Sequence, residues 1–254
     1  MDHTELKLDD CFQFGLGAFE TIAIENGAPV FLKQHLKRLN RAAGFLGLDS
    51  CQERGITADA LADWLQNRSD DPSIHHGALK LMLSKENLLL RLRPNPYTPE
   101  RYQRGFVMDF SQVRRNETSP LVYHKTMNYG DCLLEKRSAA AAGMDERIFL
   151  NTRGEVCEGC VSNVFFIRKG ILFTPQLSCG LLPGIMREYL LSEYDVCETV
   201  IRPDEISDFE ECFVTNSLMG IMPVRQLGTT IFPSRQYTQN LADNYSRYLG
   251  LVCS

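Results

Sequence analysis

Hydrophobic and polar positions recur with recognisable periods along the first half of the chain. Residues 18–25 place apolar side chains on both alternating sets of positions, which predicts a strand with both faces largely covered. An Asn-Gly pair at 26–27 favours a two-residue hairpin turn, with residues 30–32 as its return strand. Residues 33–48 and 57–67 repeat apolar side chains at helical spacing and predict two amphipathic helices.

Strands dominate the rest of the pattern, and one polar stretch interrupts it. Residues 111–120 lack apolar periodicity and end in a proline, which is typical of a connector between domains. Further strands are predicted at 78–84, 87–93, 105–110, 147–151, 161–167, 171–173, 212–215 and 221–225, and further helices at 130–142, 185–193 and 236–250.

This pattern predicts an α+β chain with two domains. We expect a small N-terminal α/β domain over residues 1–111, a connector over 112–122 and a larger, strand-rich C-terminal domain over 123–254. The 254 residues are ample to bury a core in each domain.

Composition narrows the classes of protein. The net charge of −5 and the pI near 5.6 disfavour nucleic acid as the main partner. No run approaches the ~18 consecutive apolar residues of a membrane helix. Residues 1–5 lack the basic and apolar regions of a signal peptide. We therefore expect a cytoplasmic protein without a membrane partner.

Nine cysteines are scattered along the chain, and one pair, Cys157 and Cys160, has CxxC spacing. A structural zinc site would need a second ligand pair at similar spacing, and the sequence contains none. A thioredoxin-like site would need a helix after the motif, whereas residues 161–167 predict a strand. We interpret the cysteines as reduced, mostly buried side chains and expect no metal.

Lys125 lies at the exit of the predicted connector, just before the helix at 130–142. A lysine at such a junction is usually a solvated surface residue. In a cleft, however, desolvation or cationic neighbours lower the pKa of a lysine and make its amine a nucleophile able to form a Schiff base. The local pattern leaves both interpretations open.

Several side chains that suit an anion lie where the predicted backbone changes state. The helix start after Gly184 offers N–H groups to a phosphate, and Ser217 adds a hydroxyl in a turn. Arg38 carries a guanidinium that forks onto phosphate oxygens, and Glu158 precedes a predicted strand. Each feature also has an ordinary interpretation, as a helix start, a turn residue or a solvated charge.

Six blocks of residues follow one another along nearly the whole chain. They are Phe12-x-Phe14-Gly15-x-Gly17-x-Phe19-Glu20-Thr21, His35-Leu-x-Arg38-Leu39, His124-Lys125-Thr-x-Asn128-Tyr129, Glu158-Gly159-x-x-Ser162-Asn163-Val-Phe, Leu182-Pro183-Gly184-Ile185-x-Arg187 and Thr215-Asn216-Ser217-x-x-Gly-Ile-x-Pro223-Val. In this order they resemble the branched-chain and D-amino-acid aminotransferase family, the fold-type IV class of pyridoxal 5′-phosphate (PLP) enzymes. The resemblance implies a two-domain fold whose larger domain forms a pseudo-barrel.

The resemblance also implies which residues bind the cofactor. Lys125 corresponds to the Schiff-base lysine. The PLP phosphate is implied to be held by Arg38, by the N–H groups of Ile185 and Met186, and by the hydroxyl of Ser217. Arginine and helix-terminal N–H groups suit this task because they neutralise a dianion without proton transfer.

Three further residues are implied to contact the cofactor ring. Glu158 corresponds to the acid that pairs with the pyridine nitrogen, Tyr129 to a residue near the ring hydroxyl, and Leu182 to an apolar contact. A carboxylate at the pyridine nitrogen keeps that nitrogen protonated, so the ring accepts electrons when a substrate C–H bond breaks.

Within the family, three features resemble lyases that act on 4-amino-4-deoxychorismate more than aminotransferases. Met186 follows Gly-Ile where many aminotransferases have a threonine, and the turn at 216–224 resembles the lyase version. Thr21 stands where lyases have a hydroxyl residue implicated in proton transfer. The alternatives are a branched-chain or D-amino-acid aminotransferase and a non-catalytic PLP-binding member of the family.

A substrate with two carboxylates requires cationic ligands, and the family takes them from the region after the strand at 78–84. Lys85, Arg91 and Arg93 are the predicted candidates. Family members are homodimers, so the resemblance implies a two-fold dimer.

Overall fold

The computed structural model describes residues 5–253, which fall into two compact units. Within the described residues, the first unit comprises 5–95, 124–129 and 252–253, and the second comprises 96–123 and 130–251. Residues 1–4, on which most of the expectation about a signal peptide depends, lie outside the described part of the chain.

The first unit combines three helices with one sheet. Its elements are α1 (Asp10–Phe14), β1 (Ala18–Glu25), β2 (Ala28–Pro29), α2 (Leu32–Leu46), α3 (Ala58–Gln66), β3 (His76–Leu83) and β4 (Leu88–Pro94), with a 3-10 turn at Pro72–Ile74. The strands pair antiparallel in the order β2-β1-β3-β4.

Strand β1 has two chemically different faces. Ala18, Ile22 and Ile24 lie on one face and pack into the core with Leu39 and Ala43 of α2. The opposite face carries Phe19, Thr21 and Ala23, because successive side chains point to opposite sides of a strand. This alternation decides which of the predicted site residues share one side of the sheet.

Asp9 joins the start of the chain to the β3–β4 hairpin. It caps α1, because its Oδ1 accepts hydrogen bonds from the N–H groups of Cys11 and Phe12. Its Oδ2 accepts from Ser84 Oγ, from the Glu86 N–H and from the amide of Asn87. Burial raises the pKa of Asp9, but these hydrogen bonds outweigh burial and hold the pKa at about 2.

The second unit is built around one large sheet. Its elements are α4 (Pro99–Arg104), β5 (Phe106–Arg115), α5 (Gly130–Ala141), β6 (Glu146–Asn151), β7 (Val156–Gly159), β8 (Asn163–Arg168), β9 (Ile171–Pro175), α6 (Ile185–Glu193), β10 (Val196–Thr199), β11 (Glu211–Asn216), β12 (Gly220–Leu227), β13 (Thr230–Ile231) and α7 (Gln236–Val252). The strand order is β10-β9-β8-β11-β12-β5-β6-β7, and β13 pairs with β12.

Apolar side chains cover the central strands of this sheet on both faces. Val164, Phe166, Val214 and Met222 lie in one buried cluster. All five residues from Asn163 to Ile167 of β8 are buried. A strand covered on both faces needs such a continuous run rather than an alternation of polar and apolar residues.

The observed division of the chain differs from the predicted one, because residues 96–111, predicted to belong to the N-terminal domain, fall in the second unit. Strand β5 extends to Arg115, so half of the polar stretch predicted as connector is part of the sheet. Its last residues pair with β6, Arg114 opposite Leu150 and Arg115 opposite Asn151. Residues 124–129, predicted to belong to the C-terminal domain, group with the first unit because their backbone pairs with residues 17–19.

Most predicted elements are present, with shifted ends, and five short ones were missed. The predicted return strand at 30–32 is wrong: β2 is only Ala28–Pro29, and α2 already begins at Leu32. The missed elements are α1, α4, β7, β10 and β13. Among residues 5–253, no helix combines the length and apolar character needed to span a membrane.

We predict that Asp9→Asn lowers the free energy of unfolding by about 2 kcal/mol at pH 7, because its amide would face three donors that now meet Oδ2. The folded pKa of Asp9 lies below its unfolded value, so its contribution is complete above about pH 5 and is lost progressively as the pH falls towards 2. Urea unfolding at several pH values measures both effects.

Asp10→Asn is the matched control, since Asp10 is the exposed neighbour of Asp9. Its effect should stay within about 0.5 kcal/mol. After allowance for solvent screening, the wild type should lose about 1 kcal/mol more than Asp9→Asn between pH 4 and pH 2. Parallel pH dependences in the two proteins would contradict the assignment.

Candidate functional site

The backbone of Lys125 is fixed against the start of β1. The Phe19 N–H donates to the Lys125 carbonyl at 3.0 Å, and the Met127 N–H donates to the Gly17 carbonyl at 2.7 Å. Thr126, which lies between the two bonds, is buried and forms a bridge with Ala18. The Lys125 side chain therefore projects from a short extended segment that is paired with β1, rather than from a solvated loop.

Two further contacts hold the same segment. The Asn128 amide donates to the Gly15 carbonyl at 2.9 Å, and Gly15 has a φ of +74°, which favours glycine. A Cβ at Gly15 would also lie only 3.2 Å from the Asn128 side chain. On the other side, the His124 ring stacks on Phe45 with ring centroids 4.2 Å apart.

The Lys125 amine lies among aromatic rings. Its Nζ is 4.5 Å from the centroid of Phe19 and 5.2 Å from that of Tyr129, and the two rings meet edge to face at 5.3 Å. Phe19 is 6% exposed, so this side of the ammonium group faces apolar surface rather than water. The surface-lysine interpretation does not describe this environment.

A row of polar side chains crosses the sheet on the same face as Phe19. Thr21 pairs with Lys80, and Lys80 pairs with Arg91. Arg93 lies two residues further along β4 and opposite Ala78, so it shares this face. We call the set Thr21, Lys80, Arg91 and Arg93 the Thr21 face.

Lys80 is a residue that the sequence analysis missed. Its Nζ lies 4.8 Å from the Phe19 centroid, so both Lys80 and Lys125 have an ammonium group near this ring. Burial lowers the pKa of Lys80, and the positive charges of Arg93 and Arg91 lower it further. The sequence does show that Lys80 and Met82 share one face of a predicted strand. It does not show that this strand pairs with β1 and sets Lys80 opposite Thr21.

Lys85, predicted as a substrate residue, does not join the Thr21 face. It is exposed in the turn between β3 and β4, and its carbonyl accepts a hydrogen bond from Arg54 at 2.8 Å. A turn residue falls outside the alternation of the strands, whereas Lys80 lies within it. Lys80, and not Lys85, therefore shares the face of Thr21.

Arg38 reaches the other side of β1. Its Nε and Nη2 donate to the two oxygens of Glu20, each at 2.7 Å, in a bidentate pair. His35, one helical turn earlier, places Nδ1 2.7 Å from Glu20 Oε2. Glu20 and His35 are fully buried, and Arg38 is 7% exposed. Glu20, the partner of the predicted phosphate ligand, was also missed.

In the second unit, Glu158 at the end of β7 has two partners. Arg115 Nη2 donates to Glu158 Oε1 in a close ion pair, and the Leu182 N–H donates to Oε2 at 3.1 Å. Glu158 is 5% exposed, so a counter-ion is needed to keep its carboxylate charged at low cost. Arg115 was missed because the polar stretch around it was predicted to be a connector.

The loop before α6 is held by Asn163. Its Nδ2 donates to the Leu182 carbonyl at 2.9 Å, while the Leu182 N–H contacts Glu158. A Cβ at Gly184 would lie 2.0 Å from Asn163 Oδ1, so a side chain there would displace this contact. The loop therefore delivers Gly184 as an extended N-cap to the first residue of α6, Ile185.

The start of α6 carries the kind of groups that bind an anion. No side chain caps it among the described residues, and the N–H groups of Ile185 and Met186 belong to the first turn, which has no intrahelical acceptors for them. Both side chains are buried, so only their backbone is available for binding. The helix dipole adds a partial positive charge at this end.

Ser217 is the first residue of the turn between β11 and β12. Asn216 shapes this turn, because its Oδ1 accepts from the N–H groups of Leu218 and Met219 at 2.9 Å each. Thr215 Oγ1 is buried and has no hydrogen-bond partner among residues 5–253. A buried hydroxyl without a partner two residues from Ser217 fits a strand end that receives a polar ligand.

The CxxC pair lies inside the second unit, and its thiols are in an unreactive environment. Cys157 and Cys160 are at most 1% exposed. Burial raises the pKa of both thiols, with the charges of Glu158 and Glu146 adding to the effect, and Cys160 reaches about 12. The thiol form is a poor nucleophile and a poor metal ligand. No group of three metal-ligating side chains occurs in the described part of the chain.

The residues present fit a phosphorylated aldehyde cofactor. The first unit presents an amine against aromatic rings and an arginine with a fixed guanidinium. The second presents an ionised acid, an uncapped helix start and hydroxyls at a strand end. These are the groups needed to bond an aldehyde carbon, neutralise a dianion and pair with a ring nitrogen.

Comparison with known proteins agrees with this chemistry. The family model for amino-transferase class IV matches residues 17–227. A Thermotoga maritima relative named "Probable branched-chain-amino-acid aminotransferase" is 28% identical over 96% of this chain and 92% of its own length. The aminodeoxychorismate lyase of Vibrio harveyi is 26% identical over 96% of this chain and 97% of its own length.

A solved structure confirms the predicted fold class. The Legionella pneumophila protein named "Putative 4-amino-4-deoxychorismate lyase" superposes with a TM-score of 0.84, at 27% identity, over 97% of this chain and 96% of its own. The mixed α/β architecture with one large sheet is thus shared with solved members of this group. Relatives of both reaction types occur at similar identity, so similarity alone leaves the reaction open.

Proposed function

The chain belongs to the class IV aminotransferase family, and from that premise we propose that it is a PLP-dependent 4-amino-4-deoxychorismate lyase. The reaction yields 4-aminobenzoate and pyruvate, which places the protein in folate biosynthesis. The family supports an enzyme that uses PLP, while lyase chemistry rather than amino-group transfer is the part that we propose.

We propose that each unit contributes its own ligands to PLP. The first contributes Lys125, Tyr129 and Arg38, and the second contributes Glu158 and Leu182 for the ring. The phosphate ligands of the second unit are the N–H groups of Ile185 and Met186 and the hydroxyl of Ser217. Support comes from the uncapped start of α6, the buried Thr215 hydroxyl without a described partner and the ion pair that keeps Glu158 charged.

Bound PLP supplies an electron-accepting ring that stabilises negative charge at the substrate carbon bearing nitrogen. Lys125 Nζ would take the proton from that carbon, and the rings of Phe19 and Tyr129 border the amine on one side. Arg115 holds the carboxylate of Glu158 in place, so this acid pairs with the ring nitrogen without moving.

Thr21 takes part in the second proton transfer of the proposed reaction, the one to the leaving group. Its hydroxyl lies in the strand directly beside Lys80, on the face that carries Phe19, and Phe19 contacts the Lys125 amine. We propose that Thr21 Oγ1 passes a proton, directly or through water, to the carbon of the departing enolpyruvyl group as its C–O bond to the ring breaks and the ring becomes aromatic. Thr21 would regain a proton from Lys125, which carries the one removed from the substrate.

The Thr21 face is the observation that carries the proposal. The lyase substrate bears two carboxylates, and the face offers Lys80, Arg91 and Arg93 as ligands beside the Thr21 hydroxyl. A branched-chain amino acid has one carboxylate and an apolar side chain, so three cations exceed what it needs. Binding two carboxylates also offsets the repulsion that lowers the pKa of Lys80.

An aminotransferase is the second candidate, and the Thermotoga maritima relative favours it. Glutamate, a common amino donor, is itself a dicarboxylate, so the cationic face is also compatible with an aminotransferase that acts on acidic substrates. A non-catalytic PLP-binding protein is the third candidate. It is disfavoured because Lys125, Glu158, Arg38 and Ser217 are all present.

We also propose a two-fold homodimer and cytoplasmic residence. Leu6, Leu8, Phe12 and Phe14 are each more than half exposed, and apolar side chains at this density are typical of an interface. All nine cysteines, which lie within residues 5–253, are free, as expected in a reducing compartment.

The cofactor assignment predicts a specific absorbance change. Wild-type protein mixed with PLP should gain a band near the visible edge of the ultraviolet, and borohydride should fix the cofactor to the Lys125 peptide. Lys125→Ala should lose this covalent attachment. Lys85→Ala is the control, because Lys85 is an exposed turn residue, and it should behave as wild type. Attachment in Lys125→Ala would refute the role of this lysine.

The reaction assignment predicts that the protein forms 4-aminobenzoate from 4-amino-4-deoxychorismate made in a coupled assay. Thr21→Val should lower kcat about 100-fold because it removes a proton donor, while Thr21→Ser should retain most activity. Lys80→Met should instead raise KM about tenfold with a smaller change in kcat, since it removes a ground-state carboxylate ligand. Useful amino transfer from Leu, Glu or D-Ala without 4-aminobenzoate would refute the lyase proposal.

The dimer proposal predicts a solution mass of about twice the 28.8 kDa of one chain. Light scattering on the eluate of a size-exclusion column measures it directly. Phe12→Asp should lower the apparent mass, because a charge would be buried in the proposed interface. A monomeric wild type would contradict the proposal.

A further inference from the structure

Glu20 is a carboxylate in a place where an apolar residue is expected. Its neighbours on the same side of β1 are Ala18, Ile22 and Ile24, and all three are fully buried. The residues opposite Glu20 across the sheet, Leu81 and Leu90, are also apolar. Glu20 itself has no exposed surface. Burying a charge in such surroundings is costly unless it is paired and hydrogen-bonded.

The carboxylate is satisfied by two residues of α2. Arg38 donates from Nε to Oε1 and from Nη2 to Oε2, and His35 donates from Nδ1 to Oε2. All three distances are 2.7 Å. A fork that uses both Nε and Nη2 fixes the plane of the guanidinium as well as its position.

The charge states within this group follow from the contacts. Burial alone would raise the pKa of Glu20, but the charge of Arg38 and the hydrogen bonds from Arg38 and His35 hold it below its usual range. Burial lowers the pKa of His35, and the positive charges of Arg38 and Lys125 lower it further. The charge of Glu20 and its hydrogen bond act in the opposite direction. His35 is therefore a neutral donor at Nδ1, and Glu20 and Arg38 form the only full charges of the group.

Stability alone is a weak reason for such a pair. Replacing a buried ion pair with well-packed apolar side chains is often neutral or stabilising, so the pair points to a positional role. A flexible arginine would lose side-chain entropy on binding an anion, whereas one already held in a fork has lost that freedom during folding.

We infer that Glu20 is a positioning residue: through the fork on Nε and Nη2 it holds the Arg38 guanidinium in the orientation that binds the phosphate of PLP. This inference rests on the proposed function, in which Arg38 is a phosphate ligand. His35 supports the arrangement by donating to Oε2 from the same helix. Glu20 itself makes no contact with the cofactor in this scheme.

The test compares two ligands that differ only in the phosphate, PLP and pyridoxal. Purified protein stripped of cofactor is titrated with each, and affinity is followed by absorbance. Glu20→Gln keeps the size of the side chain but places an amide donor against donors of Arg38 or His35. We expect the affinity for PLP to fall about tenfold to a hundredfold, with the affinity for pyridoxal nearly unchanged.

Glu25→Gln is the matched control. Glu25 lies on the same strand and pairs with His76 near the surface, away from Arg38. It should leave both affinities unchanged. If Glu20→Gln weakens PLP and pyridoxal equally, or neither, the inference is wrong, because a merely structural role would not discriminate between the two ligands. If the wild type fails to bind PLP, the proposed function itself fails.

A second variant decides the matter if Glu20→Gln does not fold. Arg38→Lys retains a positive charge but cannot form the two-pronged contact with Glu20. Oriented binding predicts that Arg38→Lys loses the preference for PLP over pyridoxal almost completely. A preference that survives in Arg38→Lys would show that charge alone is sufficient, and the positioning role of Glu20 would be overturned.

Discussion

The backbone pairing of residues 17–19 with residues 125–127 is the constraint on which the first unit's chemistry depends. Two hydrogen bonds, from Phe19 to Lys125 and from Met127 to Gly17, fix the lysine beside the first residues of β1. The Lys125 amine is therefore bordered by Phe19 on the strand and by Tyr129, four residues further along its own segment. Because these contacts use backbone groups, substitution of neighbouring side chains would leave both hydrogen bonds in place.

Because successive side chains of β1 point to opposite faces, its neighbouring residues Glu20 and Thr21 serve separate tasks. Glu20 points into the core and holds Arg38, while Thr21, the next residue, points to the opposite face beside Lys80. A shift of one residue in the register would exchange these faces and bury Thr21 against α2. The apolar side chains of Ile22 and Ile24 prevent such a shift, because it would expose them. The core of the first unit thus specifies the chemistry of both faces.

Local periodicity was sufficient to predict α2, α6 and most strands, because each carries its own apolar pattern. It failed for the second half of β5, where Gln112 and Arg114 are exposed and pairing with β6 imposes the strand. It also missed Lys80, Arg115 and Glu20 as site residues. Each gains its role from a partner far along the chain or across the sheet, and Arg115 and Glu158 are 43 residues apart. The family motifs contain Lys125, Arg38, Glu158 and Glu20 itself, but they do not show which side chains pair with Arg38 and Glu158.

The second unit applies the same principle to a loop. Glu158 accepts from Arg115 on one oxygen and from the Leu182 N–H on the other, and Asn163 binds the Leu182 carbonyl. Leu182, two residues before Gly184, is therefore held through both its N–H and its carbonyl. A Cβ at Gly184 would displace the Asn163 side chain. Because the loop cannot move without breaking a charged contact, the first turn of α6 begins at a fixed point. In both units, a buried carboxylate acts on its neighbours by orienting a group that carries positive charge or N–H donors.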